Sequence, residues 1–187
     1  MLVWDYEWRG HEHKIDQLSF RQKVDLCLAC IDDSLQLLGE HFCRQLVDEF
    51  GDALRSAWEG FWSINCSVGD DIASLTPHIE ALECRIGAME NSGSEMPGFY
   101  DTIMGVAELI RGLETGMPRR MTVDCTSYAY QAVLDVEVLS TLDRSIGEEE
   151  ERELERANSK CMTCIQHQLE FLKLVAAGQT INRKTVL

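Results

Sequence analysis

The chain has 187 residues, with 32 Asp and Glu against 17 Lys and Arg, a formal net charge of −15 and a sequence pI near 4.6. Such a field repels phosphate backbones, which counts against a general nucleic-acid binder and invites basic partners instead. With 45% apolar and 26% charged residues, the composition is that of one folded domain able to bury its own core, and not of a disordered segment.

No apolar run reaches the length of a membrane span. The stretch 1–14 carries Trp4 and Trp8 among acids, where a secretory leader needs a basic start and an apolar run, so a cytoplasmic protein without a membrane partner is expected. Trp4, Tyr6 and Trp8 alternate with Asp5, Glu7 and Arg9, the two-residue period of an extended chain. Residues 1–16 are therefore predicted as an extended arm. Its rings either lie over a groove between helices or form an exposed patch for a partner or for a homo-oligomer.

Ser19 has Gln22 three residues on, a capping-box pair, and Val24, Cys27, Leu28, Ile31, Leu35 and Leu38 follow at helical spacing. A helix is predicted up to Gly39. A second pattern runs through Phe42, Leu46, Val47 and Phe50 to Gly51, and a third through Leu54, Trp58, Phe61 and Trp62. Residues 65–75 are a loop by composition, and Thr76 before Pro77 starts a helix through Ile79, Leu82, Ile86 and Met89. After a linker at 91–98, Phe99, Ile103, Val106, Ala107, Ile110 and Leu113 mark another helix, ended by Gly116 and Pro118. Tyr128, Ala132, Val133, Val136 and Leu139 mark the next.

From Glu148 to about Ala176 no Gly or Pro interrupts the chain, which predicts one long helix of roughly 43 Å at 1.5 Å per residue. Glu148–Glu151 would sit at its N-terminus, where negative charge is favoured. Gly178 would end it, leaving residues 179–187 as a loose tail. Short connections favour antiparallel neighbours, so the expected fold is an all-α bundle of six to seven helices, a single domain over 1–187.

Chemistry is sparsely marked. Cys27 with Cys30 and Cys161 with Cys164 form two Cys-x-x-Cys pairs, which formally match a four-thiolate zinc site. Both pairs lie inside helical patterns, with Cys27 and Cys161 on the apolar stripes, so core packing is the reading taken and no metal or cofactor is predicted. The five His (11, 13, 41, 78 and 167) show no i, i+4 pair. Asp70 and Asp71 lack the alternating ligand ladder of a calcium loop. No phosphate loop, nucleophile elbow or dinucleotide fingerprint occurs, so no catalytic residue is predicted.

The placement of charge says more than its total. Residues 25–95 hold 14 Asp and Glu against three Arg and no Lys. Asp48, Glu49 and Asp52, with Asp32 and Asp33, lie off the predicted apolar stripes and repel one another, a cost that a basic partner would offset. Asp32, Asp33, Asp48, Glu49, Asp52, Asp70 and Asp71 are the predicted partner-binding residues.

The stretch from Leu18-Ser19-Phe20-Arg21-Gln22 through Leu54-Arg55-Ser56-Ala57-Trp58-Glu59 resembles the opening of the uncharacterised YjaG-like bacterial helical family; the similarity is weaker over Phe99 to Gly112 and fades beyond Tyr128, so that it covers about half the chain in all. The sequence departs from that pattern at Asp32-Asp33-Ser34. The resemblance implies a helical fold without a catalytic motif. Small acidic helical chains of this kind are also similar in style to bacterial immunity proteins that neutralise toxins. The expected function is thus a non-enzymatic module that binds a basic protein, a toxin domain; a metal- or thiol-dependent enzyme and an oligomeric adaptor are the alternatives.

Overall fold

Val3–Arg9 form a helix, α1, and not the extended arm expected from the alternation of Trp4, Tyr6 and Trp8. Trp4 and Trp8 are also four residues apart, which puts both indoles on one helical face. Both are buried and stack at 5.3 Å, whereas Tyr6 on the other side is 70% exposed. The two indoles therefore pack on their own chain, as in the first of the two readings, and of the alternative exposed patch only Tyr6 remains at the surface. The computed structural model describes residues 2–63, 76–92, 96–142 and 144–181, except the side chains at 52, 53, 56–63, 76, 78, 79, 86 and 89–92.

A short α2 (Glu12–Ile15) buries Ile15 and leads to α3 (Phe20–Ser63). The predicted capping box is formed: the Ser19 amide donates to Gln22 Oε1 at 2.8 Å, and the Gln22 amide to Ser19 Oγ at 3.3 Å. Gly39 and Gly51 interrupt the run with φ of +87° and +58°, so α3 is three helical segments with breaks where the sequence placed them. The ring positions Trp58, Phe61 and Trp62 lie outside the described side chains.

Next come α4 (Thr76–Ser92), α5 (Phe99–Thr115), α6 (Arg119–Glu137), a 3₁₀ turn (Leu139–Thr141), α7 (Glu148–Ala157) and α8 (Ser159–Ala176). Helix α4 runs to Ser92 and so takes in the first two residues of the linker expected at 91–98, of which 93–95 lie outside the described residues. Helix α6 begins well before Tyr128: its first turn is polar outside, but Thr122 and Cys125 are buried.

The predicted long C-terminal helix is broken at Asn158. Its side-chain Oδ1 accepts the amides of Lys160 (2.9 Å) and Cys161 (3.1 Å), so Asn158 leaves helical geometry to cap α8. No Gly or Pro was needed. The tail is also partly packed, since Ile181 is buried.

Contacts fix the directions of the helices. Gly98 at the start of α5 meets Ala132 and Val136 near the end of α6, so these two are antiparallel. Gln22 reaches Val175 and Asp33 reaches His167, so α3 and α8 are antiparallel as well. By contrast, Lys23 reaches Met117 and Cys27 lies by Thr122, which makes α3 and α6 parallel. A continuous apolar core runs from Val3 to Ile181 and includes Leu26, Ile31, Leu46, Ile103, Leu109, Val133, Ile165 and Leu172. Among the described residues there is no strand, and no helix is long and apolar enough to cross a membrane.

Candidate functional site

A cavity of about 620 Å³ opens where the start of α5 meets the end of α6. Phe50 of α3, Leu2 ahead of α1, Leu139 and Ser140 of the 3₁₀ turn and Glu151 of α7 complete its walls. Its apolar floor is built by Phe99, which takes edge contacts from Phe42 (5.1 Å) and Phe50 (5.9 Å). Tyr100 and Met96 stand at the rim, and both are among the few large apolar side chains exposed to solvent.

Three carboxyl groups line this space, Asp101 from α5, Asp135 from α6 and Glu151 from α7, and none of the described lining residues is a Lys, Arg or His. Asp135 Oδ2 accepts the Gly98 amide at 2.5 Å, so a side chain from α6 satisfies an amide at the start of α5. Gly98 has φ +76°, and a Cβ there would lie 2.7 Å from Val136 Cγ2 and 2.8 Å from the Ala132 carbonyl oxygen. Only glycine fits this approach. The Asp101 carboxyl is pushed up to about 7, by burial first and then by the neighbouring Asp135 carboxylate. Near neutral pH, Asp101 is thus poised between its acid and its anion.

The residues predicted from the sequence do not form one surface. Asp32 and Asp33 were expected to face outward, but both are buried, at 2% and 9% exposure, because α8 packs over that side of α3. Asp33 Oδ1 meets His167 Nδ1 at 2.8 Å, and Asp32 Oδ2 accepts from Gln36 Nε2 at 3.0 Å. Burial raises the Asp33 carboxyl, and the His167 contact opposes that rise. These groups line a smaller cavity of about 320 Å³ with Glu170, Phe171, Leu174 and Ile181. Asp48 is exposed, as expected, while Glu49 accepts from Arg85 Nη2 at 2.8 Å. The Asp52 side chain and all of Asp70 and Asp71 lie outside the described residues.

Both Cys-x-x-Cys pairs are core residues. Cys27, Cys30, Cys161 and Cys164 have no exposed surface, and burial pushes the thiols of Cys30 and Cys164 well up and that of Cys161 up to about 12. Among the described residues no group of three or more His, Cys, Asp or Glu is arranged to hold a metal ion.

Sequence reasoning passed over Asp101, Asp135 and Glu151. One signal was available: Asp135 sits in the last turn of α6, where the helix dipole disfavours an acid, so its presence there asks for a compensating donor. That donor, the Gly98 amide, is visible only after folding. In comparisons with known proteins, the chain matches no family model, no curated protein and no solved structure.

Proposed function

We propose that this chain is a non-enzymatic binding module for a basic partner protein, and that the partner docks over the cavity between α5 and α6. The observation that carries this reading is the cavity lining itself, three carboxyl groups on apolar walls with no base among the described lining residues. A partner cation would relieve the repulsion between Asp101 and Asp135. The exposed Tyr100 and Met96 at the rim are the residue types that anchor protein interfaces. Within this class we propose a toxin domain neutralised in the manner of an immunity protein, which the net charge of −15 supports. Electrostatic attraction would set the speed of encounter, and packing at the rim the lifetime of the complex.

The test starts from proteins captured on the immobilised chain and identified by mass. Association of the captured partner is then measured with the wild type, Tyr100→Ala and Asp135→Asn, at low and high salt. The expected partner is basic, associates more slowly as salt rises, and is bound at least about tenfold more weakly by either variant. A partner without a basic face, bound equally by all three proteins, would overturn the proposal.

A further inference from the structure

We propose that the α5–α6 cavity receives one primary ammonium group on an unbranched apolar stem, a lysine side chain of the partner, with its nitrogen between Asp101 and Asp135 and its stem against Phe99 and Leu134. This rests on the reading of the cavity as the binding face and adds the chemistry of what enters it.

Charge argues for a cation. Asp101 interacts with Asp135 and Tyr128 of α6, and Glu151 of α7 and Tyr100 of its own helix line the same cavity, to which α3 contributes the uncharged Phe50. Every ionisable group in that set is an acid. Geometry argues for ammonium over guanidinium. Asp135 Oδ2 is already engaged by the Gly98 amide, so this carboxylate does not present two free oxygens to a planar fork. An ammonium is a point charge with three donors and can instead collect single oxygens from separate carboxyl groups. The walls favour a stem of methylenes over a small ion, because Phe50, Phe99, Leu134 and Leu139 would hold it out of water. At about 620 Å³ the cavity also leaves space at the rim for the partner's backbone beside Met96 and Tyr100.

Binding would carry a proton balance. The lysine enters as the ammonium and keeps its three protons. Asp101, where protonated, breaks its O–H bond and releases that proton to solvent, leaving a carboxylate against the cation. No other bond changes. Affinity should therefore fall with acidity, because only the ionised fraction of Asp101 is competent.

The experiment uses the full chain and three probes: Nα-acetyl-lysine methylamide, the same compound acetylated on Nε, and Nα-acetyl-arginine methylamide. The Met96 methyl resonance reports occupancy, and calorimetry in two buffers of different ionisation enthalpy counts protons. The lysine probe is expected to shift Met96 and release a proton below pH 7. Its affinity should weaken by up to about tenfold per pH unit below that point. Nε-acetylation, or Asp135→Asn, should weaken binding by at least about tenfold. Asp101→Asn should abolish the proton release, and Glu80→Gln, exposed on α4, should change nothing. An arginine probe that binds as tightly, an acetylated probe that binds equally, or no Met96 shift would overturn the ammonium assignment. If the probes fail while a captured basic partner remains sensitive to Tyr100→Ala, this inference alone falls. If the partner is insensitive too, the binding-face reading falls with it.

Discussion

The carboxylate of Glu155, fully buried, accepts the amide of Val3 at 2.8 Å across 152 residues of sequence. It also accepts from the Trp4 amide at 3.2 Å and from the Tyr130 hydroxyl, so one side chain of α7 satisfies the start of α1 and a tyrosine of α6. Glu155→Gln keeps the shape but turns an NH₂ toward at least one of these donors. A loss of about 2 to 4 kcal/mol is expected, read as a lower urea midpoint. Release of α1 would add a red shift of the Trp4 and Trp8 fluorescence.

The cap at Asn158 separates α7 from α8 and so lets Glu155 reach α1. Asn158→Ala should cost about 1 kcal/mol in urea unfolding and speed hydrogen exchange at the Lys160 and Cys161 amides. Unchanged exchange at those two amides would count against this role.

Gly98, the N-cap of α5, and Gly105 in its interior should behave differently. Gly98→Ala places a methyl against the Ala132 backbone at a positive φ, and a loss of about 2 to 4 kcal/mol in thermal or chemical unfolding is expected. At Gly105 the added carbon meets Tyr128 Cβ at 3.5 Å, an ordinary contact in a helix interior. Gly105→Ala should be neutral or slightly stabilising, by less than about 1 kcal/mol.

Asp101 makes stability depend on pH. Its carboxyl lies at about 7 in the fold against 3.8 for an unperturbed aspartate, so between these values the native state holds a proton that the unfolded chain has lost. The stability this contributes is fully present below about pH 4 and is lost as pH rises through 7. Asp101→Asn should flatten the fall in urea midpoint across that window. Asp33, raised in the same direction by burial, contributes a fall of the same sign that the variant keeps. An identical pH profile in the variant would contradict the assignment.

Thiol labelling tests the core. Of the described cysteines, only Cys84 is exposed, while Cys27, Cys30, Cys43, Cys125, Cys161 and Cys164 are buried and free. Burial raises the Cys43 thiol to about 11, which lowers its reactive thiolate fraction further. Peptide mapping after brief alkylation of native protein should find Cys84 modified and these six protected until denaturant is added.

The sequence by itself determined whatever depends on neighbours within a few residues. Ser19 and Gln22 form their box, Gly39 and Gly51 break α3, and the apolar stripes carry Cys27 and Cys161 into the core, because a helical turn and its caps are local structures. Trp4 and Trp8 satisfied both a two-residue and a four-residue period, and packing against Tyr130 and Gln168 selected the helix. Asp32 and Asp33 read as a solvated acidic step until α8 lay over them. Tertiary structure alone decided that Asp101 and Asp135 share a cavity and that Glu155 holds α1, because the energy of a carboxylate depends on its distance from donors, charges and water, and those lie on helices far away in the chain.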